Sequence, residues 1–471
     1  MTPSTLSQGR HASRQPGVAA IDGFRGRLVG PDHPDYDTAR AVWNGAIDRR
    51  PRLIARCLGT ADVVAAVRFA RDLALAIAIR GGGHNVAGTA VCDDGIVIDL
   101  SAMRAVRVDP GARTAWVQGG ALWGDVDHET QAHGLATTGG IVSHTGVAGL
   151  ALGGGVGWLM RKHGLTVDNL VAADVVTADG KRQRASADEH PDLFWALRGG
   201  GGNFGVATAF EFRLHAVGPT VLAGPILWDA SDAKEVLRFY RDFVRDAPDE
   251  LGTVVRFGTA PPLVPIPNHL HWRPVVMVGT CYAGPIADGE RLLGPLRACR
   301  TPLLDLVAPA PYVGFQSALD STVVHGWNYY WKSTHLPQLS DDLIDVLAEH
   351  AFACASPRSY VAMFHLQGAV GRVAEGATAF GNRQASHAMT LDAVWRPGED
   401  FGDRDVAWTR RFFAALARFR QGVYVNFLGG DEGPERVREA YGDVVYDRLA
   451  DVKTTYDPSN VFHHNQNVRP H

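Results

Sequence analysis

Hydrophobic residues follow a helical repeat in the segment after Thr60, which is suited to cap the helix. In "ADVVAAVRFARDLA" one face carries Val63, Val67, Ala70 and Ala74. The next segment, "LAIAI", has the alternation of a β-strand, with Leu75, Ile77 and Ile79 on the same side. This strand leads directly into "RGGGHN", and "GIVIDL" (95–100) and "TAWVQGG" (114–120) predict two further strands. The glycines therefore stand at the carboxyl end of a strand, where open sheets commonly bind ligands.

The pattern changes near Val217, where runs of glycine become rare. "SDAKEVLRFYRDFVRD" predicts a helix whose buried side carries Val236, Leu237, Tyr240, Phe243 and Val244. Aromatic residues and prolines are denser through 262–331. Near the end, "ERVREAYGDVVYDRLADVKTTY" predicts one helix that buries Val437, Tyr441, Val445, Leu449 and Val452. Asp457-Pro458 ends it.

Composition indicates a folded chain with more than one core. It has 471 residues, 46% of them hydrophobic, and a formal net charge of −4. The near balance of charge provides no electrostatic footprint for nucleic acid and no run suited to an anionic membrane. Five scattered cysteines, none in a Cys-x-x-Cys pair, favour thiols in a reducing compartment. Without an apolar signal region or membrane-length stretch, we expect a soluble cytoplasmic protein whose residues 1–18 are disordered.

Glycines cluster in four places: 81–88, 119–124, 139–157 and 199–205. Glycine allows positive φ and lets backbone N–H groups approach an anion closely. "RGGGHN" is neither a Walker A loop nor a Gly-x-Gly-x-x-Gly turn that opens a helix. Because the chain returns to a strand within about ten residues, it has no room for a Rossmann crossover helix. Alone, the loop is compatible with a plain turn or a cofactor site.

Four further stretches carry candidate chemistry: "GGIVSHTGVAGLALGGGVGWLMRKHGLTVDNL" (139–170), "DLFWALRGGGGNFGVATAFEFRLH" (192–215), "GVYVNFLGG" (422–430) and "DPSNVFHHNQNVRP" (457–470). Together with "RGGGH", their order resembles the berberine-bridge-enzyme-like flavoprotein oxidases of the vanillyl-alcohol-oxidase superfamily, including bacterial members. The resemblance extends over nearly the whole chain after residue 20. It implies an α+β fold with a PCMH-type FAD-binding domain of two α/β subdomains and an inserted substrate domain, an antiparallel sheet covered by helices.

The resemblance implies domain boundaries and a cofactor. We expect the FAD-binding domain over 19–218, the substrate domain over 219–420, and a return to the FAD domain over 421–471. In the family, the histidine that ends the glycine loop bonds covalently to the ring methyl of FAD, and this role falls on His84. The other implied FAD contacts are Arg80, Gly81, Gly82, Gly83, Asn85, Gly88, Gly119, Thr145, Gly146, Gly149, Gly153, Gly154, Gly155, Gly157, Asn169, Gly205, Val206, Tyr424, Asn426, Asn465 and Asn467.

Many relatives have a second link to FAD through a cysteine four residues before the glycine that corresponds to Gly146. That position is Val142 here, and Cys92 lies on another segment. The sequence therefore predicts a flavin bound through His84 only. Thr145 is a candidate to hydrogen-bond near the flavin N5 or to line an oxygen pocket, or else an ordinary loop threonine.

Candidate catalytic residues lie in the second half of the chain. Tyr424 is the first candidate base, although a tyrosine with a pKa of about 10 would need that pKa lowered; it could instead be a packing residue. Phe427 replaces the last tyrosine of the family's Tyr-x-Asn-Tyr motif. In "HGWNYYWKS" (325–333) and beyond, Tyr330, Lys332 and His365 are further candidates to face the flavin. Spacing back from Trp395 places the position of a catalytic Glu or Gln of plant relatives near Thr390, which is no strong base.

The resemblance predicts an FAD-dependent oxidase. It would take hydride from a C–H bond of an alcohol-type or amine-type substrate to the flavin N5, and dioxygen would regenerate the flavin with release of hydrogen peroxide. The alternative is a tailoring enzyme that oxygenates or oxidatively cyclises a natural product. A flavin-binding module without activity is disfavoured by the aromatic and polar residues at 325–333 and 422–427. The expected partners are a small molecule and dioxygen, with no metal, while the oligomeric state is left open.

Overall fold

The computed structural model describes residues 20–471, so the predicted disorder of residues 1–18 lies outside the described residues. The strands are β1 (Arg27–Val29), β2 (Leu53–Arg56), β3 (Ile77–Arg80), β4 (Ile96–Asp99), β5 (Val106–Asp109), β6 (Thr114–Gln118), β7 (Leu135–Ala136), β8 (Leu170–Val176), β9 (Arg182–Ser186), β10 (Val206–Arg213), β11 (His215–Ala216), β12 (Thr220–Asp229), β13 (Leu251–Thr259), β14 (Pro274–Tyr282), β15 (Leu304–Asp305), β16 (Ala308–Pro311), β17 (Asn328–Leu336), β18 (Tyr360–His365) and β19 (His387–Trp395).

The α-helices connect and cover these strands. They are α1 (Tyr36–Arg40), α2 (Thr60–Asp72), α3 (Trp123–Gln131), α4 (Val147–Gly153), α5 (Met160–His163), α6 (Pro191–Leu197), α7 (Ala233–Arg245), α8 (Ile286–Arg297), α9 (Tyr312–Gln316), α10 (Asp341–His350), α11 (Ala369–Arg372), α12 (Gly402–Ala415), α13 (Pro434–Tyr441) and α14 (Asp443–Tyr456). In the described part of the chain, none of these helices has the length and apolar character needed to cross a bilayer.

Two sheets share the core around α2. The first has the order β1-β2-β4-β3, with β2 and β3 parallel to β4. The second has the order β5-β6-β10-β8-β9 and is antiparallel. The buried face of α2, including Val63 and Val67, packs in one cluster with Ile96 of the first sheet and Val176 and Val206 of the second. These two sheets, with α2 between them, form the mixed helix and sheet architecture that the predicted α+β fold requires.

The third large sheet is antiparallel and has the order β15-β12-β14-β13-β18-β19-β17, with β16 beside β12. Helices α7, α8, α10 and α12 cover one face and form a core with the inward residues of β13, β18 and β19. Val255, Val361, Met363 and Leu391 belong to this core and are fully buried. The predicted antiparallel sheet covered by helices is therefore present.

Two local predictions were wrong. Thr60 is the first residue of α2 and Gly59 precedes it as the cap, while Ala74 lies beyond the helix with a positive φ of 51°. The single tail helix is divided at Gly442, which has a φ of 73° and separates α13 from α14. A left-handed residue ends an α-helix, and glycine adopts that conformation without a steric penalty.

Candidate active site

A large cleft lies where the three sheets meet. Its walls enclose about 2030 Å³ of space, including the part that opens to solvent, and most of the lining is apolar. The walls come from the loop after β3, the segment 140–156 with α4, the loop 201–207, the C-terminal segment 462–466, and one face of the third sheet. A cleft between layers of a fold is a common form of a cofactor site.

Two glycine segments meet backbone to backbone at the cleft. A Cβ on Gly82 would lie 2.5 Å from the Cα and N of Gly146, and a Cβ on Gly146 would lie 2.3 Å from the N of Gly82. No side chain fits between these segments without moving the backbone. The contact therefore fixes the loop after β3 against the start of α4, so that both border the same space.

His84 is held by aromatic stacking at the wall of the cleft. Its ring stacks on Trp43 at 4.3 Å between centroids and on His144 at 5.0 Å on the other side. Nε2 of His84 is buried without a hydrogen-bond partner. Burial, with smaller effects of His144 and His325, lowers the pKa of His84 to about 3. A neutral imidazole that lines the cleft and is fixed in orientation has the properties of a nucleophile at neutral pH.

The loop before α4 brings Val142 and Thr145 to the cleft. Ser143 turns away, because its backbone N–H and its hydroxyl both donate to the carboxylate of Asp320, at 2.9 and 2.5 Å. Val142 is nearly buried, with 7% of its surface exposed. The residue at which the sequence predicts no second flavin link thus lines the cleft and has an unreactive side chain.

Twelve of the predicted cofactor residues line the cleft: Gly81, Gly82, Gly83, His84, Asn85, Thr145, Gly146, Gly149, Gly205, Tyr424, Asn426 and Asn465. The structure does not place the others on its wall: Arg80, Gly88, Gly119, Gly153, Gly154, Gly155, Gly157, Asn169, Val206 and Asn467. Two of these have a clear supporting role instead. Arg80 pairs with buried Asp99 at 2.9 Å, and Asn169 donates to the carbonyls of His163 and Leu165.

The wall has the features that a bound dinucleotide needs. A Cβ on Gly149 or on Gly202 would meet no atom within 4 Å, so a side chain at either position would project into the open space. Asn465 donates to the carbonyl of Gly202, while its side-chain oxygen Oδ1 is buried without a hydrogen-bond partner. Bare backbone and a free polar group, together with the neutral imidazole of His84, fit FAD.

One face of the third sheet forms the far wall, as its register shows. Arg256 of β13 lies opposite Ala362 of β18, which lies opposite Thr390 of β19. In the next row, Tyr360 of β18 lies opposite Asp392 of β19. Directly opposite residues share a face of a sheet, and all five of these residues line the cleft.

The same alternation corrects the predicted roles of Tyr330 and Lys332. Trp331, between them, lies opposite Asp392 and lines the cleft, so its two neighbours point to the other side. The Tyr330 hydroxyl donates to Asp431 at 2.9 Å, and Lys332 pairs with the same carboxylate at 2.8 Å. Neither residue is a candidate to face the flavin.

The predicted catalytic role of His365 was also wrong. It ends β18 on the helix-covered face, and its ring stacks on His387 at 5.2 Å between centroids and contacts Arg161. His365 is 1% exposed and does not line the cleft. His387 and His335 are equally buried, and neither ring nitrogen of either residue has a hydrogen-bond partner.

These buried imidazoles predict acid sensitivity of the fold. Burial lowers the pKa of both His387 and His335 to about 3, whereas an unfolded imidazole has a pKa of about 6.5. Below pH 6.5 the unfolded chain therefore binds protons that the folded chain does not, and stability falls until the folded pKa is reached. At pH 4.5 each residue should cost about 3 kcal/mol relative to pH 7.

Urea unfolding at pH 7 and pH 4.5 checks this expectation. His387→Gln should reduce the loss of unfolding free energy between the two pH values. His128→Gln is the matched control, since the His128 side chain is 80% exposed. If the unfolding free energy depended on pH equally in the wild-type protein and in both variants, the expected role of His387 would be contradicted.

Tyr424 lines the cleft, but its hydroxyl oxygen already accepts two hydrogen bonds from the chain. It accepts hydrogen bonds from the backbone N–H of Gly155 at 2.8 Å and from the Asn426 amide at 2.7 Å. Burial raises the pKa of Tyr424 well above its usual value. The lowering of pKa that a tyrosine base requires is therefore not found, and the hydroxyl connects the end of α4 to the 422–427 segment.

Asp392 is the functional candidate that sequence reasoning missed. It lies two residues after Thr390, on the same face of β19, and is 2% exposed. One carboxylate oxygen, Oδ2, is buried without a hydrogen-bond partner. Burial raises the pKa of Asp392 to about 7, partly opposed by Thr390, Arg256 and Tyr360. A carboxylate that titrates near neutral pH at the wall of a cleft can accept a proton from a bound molecule.

Comparisons with known proteins agree with this architecture. The family described as "FAD binding domain" matches residues 51–186, and the family described as "Berberine and berberine like" matches residues 423–469. The fold and the cleft are those of an FAD-linked oxidoreductase. The chain belongs to the berberine-bridge-enzyme-like family of FAD-linked oxidases.

Individual relatives cover nearly the whole chain. (R)-6-hydroxynicotine oxidase of Paenarthrobacter nicotinovorans is 33% identical over 464 residues, 95% of this chain and 97% of the relative. Xylooligosaccharide oxidase of Thermothelomyces thermophilus is 27% identical over 491 residues, 98% of this chain and 95% of the relative. The crystal structure of 6-hydroxy-D-nicotine oxidase from Arthrobacter nicotinovorans superposes with a TM-score of 0.85 at 31% identity, covering 95% of this chain and 99% of that one.

Proposed function

We propose that the protein oxidises a small alcohol or amine with FAD tethered through His84 alone, and that dioxygen accepts the electrons with release of hydrogen peroxide. The observation that carries this proposal is the presence of His84 and Asp392 on the walls of one cleft. FAD, when bound, accepts hydride from a substrate carbon and passes two electrons to dioxygen. We also keep a reducing, cytoplasmic environment as part of the proposal, because all five cysteines are free thiols.

The residues of the chain supply position and proton transfer. His84 is neutral and fixed by Trp43, as a tether requires. Asp392 accepts the proton of the substrate hydroxyl or amine while the adjacent C–H bond is broken. The apolar wall formed by Trp331 and Phe364 excludes water from the reacting atoms. Thr145, at the opposite edge of the cleft, remains a proposed hydrogen-bond donor near the flavin N5 or a residue of an oxygen pocket.

The reaction with dioxygen can be tested without a known substrate. The holoprotein is photoreduced anaerobically and mixed with buffer that contains dioxygen. We expect the flavin to be reoxidised with one hydrogen peroxide per flavin. Absence of bound flavin, or reoxidation without peroxide, would contradict the oxidase. Incorporation of isotope-labelled oxygen into a product would instead support the oxygenating, tailoring alternative.

Val142→Cys should restore covalent attachment when it is combined with His84→Ala. The side chain of residue 142 faces the cleft, and the change from valine to cysteine adds a nucleophile at nearly constant volume. After acid precipitation, flavin should remain with the double variant and leave the His84→Ala protein. Val156→Cys in the same background is the control, since Val156 also lines the cleft but does not correspond to the linking position; flavin retained equally by both would contradict a specific site.

A further inference from the structure

Arg256 is a half-buried cation on the wall of the cleft that the third sheet forms, and it makes no ion pair with a group of the described chain. Its guanidinium stacks over the ring of Tyr360 at 4.3 Å, and its Nε is buried without a hydrogen-bond partner. Among residues 20–471, no carboxylate oxygen lies within the 4.0 Å of an ion pair with Arg256, although the charge of Asp392 acts on the guanidinium from a longer distance. Burial lowers the pKa of Arg256, yet arginine keeps its proton under all conditions in which a protein is folded.

The arginines that are buried in the described chain, Arg80, Arg161 and Arg383, all have acceptors, and Arg161 donates to the carbonyls of Leu366 and Ala247. Arg80 pairs with Asp99 at 2.9 Å, and Arg383 pairs with Asp168 at 2.7 Å. Arg358, near the same sheet, pairs with Glu399 at 3.1 Å. The Arg256 guanidinium by contrast donates no hydrogen bond to the described chain, and leaving its buried Nε without an acceptor costs free energy. The missing partner at Arg256 is therefore best supplied by a molecule that enters the cleft.

The register shows where that molecule would lie. Arg256 is on β13 and Asp392 is on β19, with β18 between them. The two strands are about 10 Å apart, which is two strand spacings, and Asp392 lies one row further along the sheet than Arg256. Ala362 and Thr390 occupy the row that begins at Arg256, and their small side chains leave room above the sheet. The remaining wall, with Trp331 and Phe364, is apolar.

We propose that Arg256 binds a carboxylate of the substrate. The substrate is then a small, largely apolar acid, with its carboxylate on Arg256 and its hydroxyl or amine directed toward Asp392. Guanidinium presents two parallel N–H groups to a carboxylate, which fixes orientation as well as charge. Oxidation yields the corresponding oxo acid, or an imino acid, at the carbon that loses hydride to FAD. This inference rests on the proposed oxidase function.

Binding of a matched acid and amide to the holoprotein tests the proposal. Benzoate and benzamide are titrated separately, and the change in the flavin absorbance spectrum reports the dissociation constant. Loss of one partner of a buried charge pair should raise the benzoate Kd of Arg256→Met at least about 30-fold. The benzamide Kd should change less than about threefold. Arg256→Lys should give an intermediate value, since it keeps charge but loses the paired N–H groups.

Arg418→Met is the control, because Arg418 is on the exposed surface with 64% of its side chain accessible. Equal affinity of the wild-type protein for benzoate and benzamide, or an unchanged benzoate Kd in Arg256→Met, would overturn the proposal. An altered flavin spectrum without a change in the benzoate Kd would assign Arg256 to the cofactor instead. Photoreduction and reoxidation distinguish failure of the carboxylate site from failure of the proposed oxidase function. If the protein forms peroxide but does not prefer benzoate, the oxidase proposal stands and only the carboxylate site is rejected.

Discussion

Asp392→Asn should lower the rate of flavin reduction by substrate by about 10²–10⁴-fold. The amide keeps the shape of the side chain but accepts no proton at neutral pH. In the wild-type protein the rate should rise as pH increases through about 7, since burial raises the pKa of Asp392 to that value and only the ionised form is a base. The variant should lack this rise.

Anaerobic stopped-flow absorbance of the flavin measures the effect, with a substrate found by screening aromatic hydroxy acids and amines. Thr390→Val is the matched control, because Thr390 lines the same wall and does not ionise. This variant should keep the rise, but at a higher pH, since the Thr390 hydroxyl lowers the pKa of Asp392. Reoxidation of the photoreduced flavin should be unchanged in both variants. A rate for Asp392→Asn within tenfold of wild type, with the rise preserved, would remove Asp392 from its proposed role.

His84→Ala should abolish covalent retention of FAD. No other group of the chain is expected to form the bond, since Val142 is unreactive. An imidazole bonded to the flavin also withdraws electrons from it, so the variant should have a more negative reduction potential and slower reduction by substrate. Acid precipitation followed by absorbance of pellet and supernatant measures retention.

His325→Ala provides the control for that experiment. The His325 ring lies edge-on to His84 at 6.2 Å between centroids, and it contributes less than burial and His144 to the lowered pKa of His84. Flavin should stay with this variant. Flavin released from the wild-type protein, or retained by His84→Ala, would contradict the tether.

Sequence reasoning located the parts of the site that are local in the chain. The loop that ends in His84 and the segment from Val142 to Gly146 were found because glycine runs and a histidine at fixed spacing are visible in one stretch. Tyr330 was misassigned because an aromatic strand does not reveal which of its two faces meets the cleft. The pairing of Trp331 with Asp392 shows that Trp331, and not Tyr330, is on the face of the strand that meets the cleft.

The residues with which the third sheet lines the cleft could not be predicted for a related reason. Arg256 and Asp392 are single charged residues in strands that are distant in sequence, and each resembles an ordinary polar position until burial and register are known. The division of the tail helix at Gly442 was missed because apolar spacing continues across the break. Helical periodicity indicates which residues face the core. A short interruption of the helix changes the spacing of these residues very little, so the pattern does not reveal it.

The strict alternation in β13, β18 and β19 has an evolutionary consequence. Odd-numbered residues of β18, such as Val361 and Met363, belong to the core, while even-numbered ones, such as Tyr360 and Phe364, belong to the cleft. Selection can therefore act on the two sets separately. A duplicated copy of this gene could acquire a new substrate by changing every second codon of three strands, without losing the packing that lets it fold.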